Sequence, residues 1–167
     1  MIVFDASTLI LLAKIGLLQQ LTKQIDIVIP EIIEKEATAK KDSFDAKIIE
    51  TLIKKGKIKV KAVKEIPIVK ELMKDFNMDK GESSVAVMFK ELDADVIATD
   101  DGQLIKACKI MDIPFVTSIV FLIRAKQKGI IDEEIALEKL NKLDEFGWYK
   151  TRIIEDAEIR IKEVKDD

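Results

Sequence analysis

The sequence predicts an α/β protein in three layers, a mainly parallel sheet with helices on both faces. Short apolar strand patterns alternate with longer stretches of helical periodicity, the order that successive βαβ units produce. Two of the strand patterns run straight into acidic residues, at Asp5 and at Asp100 and Asp101, just where a helical pattern begins. A chain of 167 residues can build one compact domain with a real core, and 48% hydrophobic against 35% charged residues suits a globular chain in water.

The elements follow in order. Residues 1–4, Met-Ile-Val-Phe, read as a short buried strand that delivers Asp5 to its C-terminal end. Ser7 is placed to cap a helix reaching about residue 14, and Gly16 punctuates before a second helical piece over 17–22. Residues 26–29 form the next strand pattern, and Pro30 suits the first turn of a helix that carries Ile32, Ile33, Glu36 and Ala37. Glu36 therefore lies on or beside an apolar face. Asp42 and Ser43 cap a helix to about residue 55; past Gly56, the alternation over 58–63 predicts an edge strand with its lysines outward.

A helix over 68–76 is broken at 77–81, and Glu82 opens another with Val85, Met88, Phe89 and Leu92 at helical spacing. A carboxylate in that first turn is favoured by the helix dipole. Residues 95–99 form the strand that ends at Asp100 and Asp101, followed by a helix over 104–111, a strand over 114–116 and an apolar helix over 118–128. From Asp132 onward come two helices, with stripes at Ala136, Leu140 and Leu143 and at Ile153, Ala157, Ile161 and Val164, parted at Gly147 and Trp148. There is no internal repeat and no low-complexity tract.

Composition removes several classes. The best apolar run, residues 9–18, is interrupted by Lys14 and falls short of the roughly 18 residues a membrane span needs. The chain opens on a strand pattern and not on a basic leader, which reads as cytoplasmic. Cys108, the one cysteine, sits in an apolar helical pattern and reads as a core residue, so no disulfide is expected within the chain. Lysine supplies all but three of the 28 basic residues and asparagine occurs only at Asn77 and Asn141, a usage resembling that of thermophiles. A net charge of −3 argues against a general nucleic-acid coat. A nuclease remains open, since a bound cation reverses the sign of an acidic site.

The carboxylates carry the functional reading. Ligands of open α/β sheets bind in the crevice outside the carboxyl ends of the strands, where Asp5, Asp100 and Asp101 are expected; Glu36 and Glu82 stand on neighbouring helices. Like charges gathered there raise one another's pKa unless a cation joins them. With no histidine and a single cysteine, the donors are hard oxygens, which suit Mg²⁺ or Mn²⁺ and not zinc. Each acid also has a plainer reading, as a helix cap, a dipole partner or a solvated surface group. The lysine pairs and rows at 40–41, 54–55 and 57–61 read mainly as solvated faces, and with one tryptophan, Trp148, base stacking is weakly signalled.

These residues together resemble a PIN domain, the nuclease fold of VapC-type toxins and related RNA-processing enzymes. The resemblance rests on Val3-Phe4-Asp5-Ala6-Ser7, on Pro30, Ile33 and Glu36, on Gly81-Glu82-Ser83-Ser84 and on Ala98-Thr99-Asp100-Asp101, in that order and spacing. It continues through 113–118 and 125–131, so it covers a core of about residues 1–131 and resembles the branch with a C-terminal helical extension, here about 132–167, in one PIN-like domain. It implies a catalytic set of Asp5, Glu36, Glu82 and Asp101. Asp5, Glu82, Asp100 and Asp101 would hold Mg²⁺ or Mn²⁺, and Ser7 and Thr99 would support them. It further implies RNA as substrate, an antitoxin protein as a partner, and a homodimer. Two alternatives stand beside the ribonuclease: a phosphohydrolase of the haloacid dehalogenase type, which would want a second acid where Ser7 stands, and an RNA-binding PIN-like protein without activity.

Overall fold

A computed structural model describes residues 1–163; Val164, the last residue of the second C-terminal stripe, lies outside them. The sheet has five parallel strands, β1 (Ile2–Phe4), β2 (Ile27–Pro30), β3 (Ile58–Lys61), β4 (Val96–Ala98) and β5 (Phe115–Val116), in the order β3-β2-β1-β4-β5. Helices flank it on both sides in a three-layer α/β/α sandwich. The first strand is thus the middle one. It pairs on one side with β2 and on the other with β4, which follows it by more than ninety residues (Phe4 stands opposite Ala98). The switch between those two directions opens the crevice where ligands of such sheets bind.

The helices are α1 (Ala6–Lys14), α2 (Leu18–Leu21), α3 (Glu31–Ala37), α4 (Phe44–Lys54), α5 (Ile66–Phe76), α6 (Lys80–Glu91), α7 (Gly102–Ile110), α8 (Ser118–Gln127), α9 (Glu133–Phe146) and α10 (Thr151–Glu163). Central strands buried on both faces need continuous apolar runs, and Ile27, Val28, Ile29, Val3 and Phe4 are all buried. Phe4 stacks on Phe121 of α8 at 5.4 Å between ring centroids. Burying side chains of this size contributes about 1.5–3 kcal/mol each. β3 is the edge strand the alternation predicts, with Lys59 and Lys61 exposed. Cys108 is buried, as expected of a core residue, and burial, reinforced by the charge of Asp5, pushes its thiol up to about 11.

α6 packs across β1, β2 and β4 and touches α3, while α1 packs against α3, α4 and α8. α9 and α10 pack on α8 and on each other, and Ala136, Leu140, Leu143, Ala157 and Ile161 join the same hydrophobic cluster as the sheet. Several boundaries move from the sequence expectation because caps set them. α5 starts two residues early, with Pro67 in its first turn, and ends at left-handed Asn77. α6 starts at Lys80, ahead of Glu82, because Asp79 caps it. Ser43 caps α4 as expected, by accepting from the Ala46 amide at 3.3 Å. Pro30 closes β2 and stands one residue before α3. No helix of the described residues is long and apolar enough to cross a membrane.

Candidate active site

Asp5 leaves the end of β1 with its backbone amide bonded to the Ala98 carbonyl of β4 at 2.9 Å, so the sheet register itself fixes its position. Its side chain is only 4% exposed. Oδ2 accepts from the Ser7 hydroxyl at 2.7 Å and from the Thr99 hydroxyl at 3.1 Å. Asp5 occupies the N-cap position of α1 without making a cap bond, and Ser7 lies inside the helix. Ser7 is therefore no cap: its Oγ donates to Asp5 and accepts from the Asp100 amide at 3.1 Å, tying the ends of β1 and β4 together. Burial raises the Asp5 pKa against the opposing effect of these donors, and the charge of Asp101 adds to the rise.

The two adjacent aspartates face different work. Asp101 caps α7: its Oδ1 accepts from the Gln103 and Leu104 amides, each at 2.8 Å, while its own amide donates to the Thr99 hydroxyl at 3.0 Å. Asp100 caps no helix and is surrounded by protein donors. Oδ2 accepts from the Thr8 hydroxyl at 2.6 Å, the Ser118 hydroxyl at 2.6 Å and the Ser118 amide at 3.0 Å, and Oδ1 accepts from the Tyr149 hydroxyl at 2.6 Å. Burial, followed by the charge of Asp100, raises the Tyr149 pKa, so the phenol keeps its proton and donates it to that bond.

Glu36 and Glu82 come from α3 and α6, which are in contact. Glu82 is the third residue of a capping box: its amide donates to Asp79 Oδ1 at 2.8 Å and its Oε2 accepts from the Asp79 amide at 2.9 Å. The plain capping reading of Glu82 is thus real, and the charge of Asp101 also bears on this carboxylate. Glu36 lies against Gly81. A Cβ on that glycine would stand 2.6 and 2.9 Å from the two Glu36 oxygens, so only a residue without one leaves the carboxylate where it is. Both glutamates are pushed up to about 7. For Glu36, burial leads, followed by the charges of Asp79 and Asp5; for Glu82, burial leads and the charges of Asp101 and Asp79 add to it.

The structure therefore brings Asp5, Glu36, Glu82 and Asp101 into one electrostatically connected group, and the charges that push on the three raised carboxylates are themselves carboxylates. An all-oxygen set that resists its own ionisation fits a hard divalent cation. Among the described residues no three acidic side chains already converge on one point.

Sequence reasoning missed four residues here. Asp79 had a readable signal, an Asp three positions before Glu82. Thr8 lies one helical turn from Asp5, but a buried threonine on an apolar face carries no mark of its partner. Ser118 and Tyr149 meet Asp100 only through tertiary folding. Tyr149 belongs to the turn between α9 and α10, and with Trp148 it walls a cavity of about 860 Å³ that reaches Ser7, Asp100 and Asp101. In that turn Gly147 is obligatory, since a Cβ there would collide with the Tyr149 ring.

A family model described as a PIN domain matches residues 1–163. Compared with curated proteins and with solved structures, the chain finds no match.

Proposed function

The chain belongs to the PIN-domain family, whose members are generally nucleases, and from that premise we propose that it is a divalent-metal-dependent endoribonuclease hydrolysing RNA phosphodiester bonds. The observation that carries the proposal is the gathering of Asp5, Glu36, Glu82 and Asp101 from two strand ends and two helices into one mutually repelling cluster. Such a cluster costs stability and makes sense when a cation and an anionic substrate complete it.

Asp5, Glu82 and Asp101 would hold Mg²⁺ or Mn²⁺, with Ser7 and Thr99 keeping the Asp5 carboxylate oriented. A divalent ion there lowers the pKa of water and neutralises charge developing on the phosphate oxygens. Glu36, open to solvent and pushed up to about 7 by partial burial of its carboxyl and the charges of Asp79 and Asp5, is suited to take the proton from the attacking water at its carboxylate. Asp100, already bonded by Thr8, Ser118 and Tyr149, fixes the end of β4 so that Asp101 faces the crevice, and is better suited to that than to ligation. The dehalogenase-type alternative lacks its second acid, because Ser7 fills that position with a hydroxyl bonded to Asp5. The inactive RNA-binding alternative would not need four acids held against their own repulsion.

The test is cleavage of labelled single-stranded RNA in Mn²⁺ or Mg²⁺. Cleavage by the wild type, lost in EDTA and in Asp5→Asn, is the expected result. Cleavage that persists in EDTA, or in Asp5→Asn, overturns the proposal.

A further inference from the structure

Trp148 is fully exposed, although tryptophan is among the residues most worth burying. Its backbone is nonetheless held: the next residue, Tyr149, is bonded to Asp100 at 2.6 Å, and Gly147 packs against the Tyr149 ring. The turn that carries the indole is therefore anchored to Asp100. Trp148 walls the same cavity as Ser7, Asp100 and Asp101, and so do the apolar side chains Ile10 and Ile105. On the rim, Arg160 is ion-paired with Asp156, and Lys14 lies over the Phe146 ring at 5.4 Å from its centroid.

We infer that Trp148 and this cavity form a base-binding subsite for single-stranded nucleic acid, in which an unpaired base beside the scissile phosphate stacks on the indole. The inference deepens the nuclease reading and rests on it. An exposed aromatic face recognises any base by its π surface, and a cation nearby serves the backbone; Lys14 is suited to that second part. A base in a duplex is already stacked on both sides and offers no free face, so the subsite favours unpaired strands. Of the four proposed catalytic carboxylates the cavity reaches Asp101, so an occupant would approach the site from that side.

The chain has one tryptophan, so its fluorescence reports on this subsite alone. The wild type is titrated, in Ca²⁺, with a short single-stranded RNA, the same sequence as single-stranded DNA, and the RNA duplex. Quenching by the single strands and little by the duplex is expected; the RNA and DNA arms show whether the sugar matters. Binding followed by anisotropy of labelled single-stranded RNA should weaken roughly 5- to 150-fold in Trp148→Ala and be largely kept in Trp148→Phe, which retains a ring and serves as the control for folding. Single strands that bind without quenching, equal quenching by the duplex, or unchanged affinity in Trp148→Ala each overturn the inference. If the cavity receives a protein segment instead, the RNA leaves the fluorescence unmoved. Cleavage by the wild type is scored separately: an active enzyme whose Trp148→Ala variant keeps its KM sinks the subsite and spares the nuclease, whereas an inactive wild type sinks the nuclease reading itself.

Discussion

Replacing Glu36 by Gln should make the metal-free protein more stable at alkaline pH while removing activity. Burial and the carboxylates of Asp79 and Asp5 move this glutamate from its usual 4.5 to about 7. At about 1.36 kcal/mol per pH unit, the full displacement corresponds to at most ~3.4 kcal/mol. Glu36 is only partly shielded from water, and screening reduces this to roughly 1–2 kcal/mol. The sign follows from proton counting. Between pH 4.5 and 7 the folded state holds a proton that the unfolded state has released, so stability falls as pH rises across that window and the loss is complete above it. Gln mimics the protonated form and cannot lose the proton. Thermal unfolding in EDTA at pH 5 and pH 8 should therefore show the wild type losing about 2–8 °C relative to Glu36→Gln. Glu82 displaces in the same direction, so Glu36→Gln keeps part of the pH slope. Mn²⁺ should flatten the wild-type slope, because the cation replaces the proton as the source of compensation. Parallel pH curves for the two proteins would falsify the electrostatic account of the cluster.

Two further substitutions separate stability from activity. Gly81→Ala adds a methyl against the flexible end of Glu36, which can move aside, and alanine favours a helix over glycine by about 0.5–1 kcal/mol; melting should change by less than about 1 kcal/mol while kcat falls toward that of Glu36→Gln, and an active Gly81→Ala would show that the placement of Glu36 is irrelevant. Tyr149→Phe removes a bond to a charged carboxylate worth about 1.5–3 kcal/mol; the melting temperature should drop by roughly 3–12 °C, and an unchanged value would mean that the bond contributes nothing in solution.

What the sequence disclosed, and what it withheld, follows the range of the forces involved. The strand patterns at β1 and β4 were legible because burial on both faces demands unbroken apolar runs, and each run ended on an acid. The mainly parallel sheet followed from the succession of strands and helices, and the edge position of β3 from its residue alternation; the strand order did not. Boundaries shifted wherever a local cap decided them, as at Asp79 for α6. In sequence Ser7 suits a cap or support for Asp5, and the structure gives it hydrogen bonds to both strand ends and no cap. The separate jobs of Asp100 and Asp101 were not legible. Two adjacent aspartates look alike until Thr8, Ser118 and Tyr149 converge on one of them, and the last lies 49 residues away. Trp148 gave a weak stacking signal in sequence because a single aromatic says nothing of its neighbours. Its position beside the carboxylates is a property of how α9 and α10 fold back on α8.

The order of the strands also has a consequence for how the chain is made. β1 is the central strand, and one of its two neighbours is β4, which follows it by more than ninety residues. Asp5 thus waits, during synthesis at roughly 5–20 residues per second, for a partner strand that ends at Ala98, and Asp100 then waits for Ser118 and Tyr149. A fragment that ends before β4 cannot gather the four acids, since Asp101 follows that strand. A chain that stops before β4 therefore lacks both the strand that seats the Asp5 backbone and the aspartate that follows it.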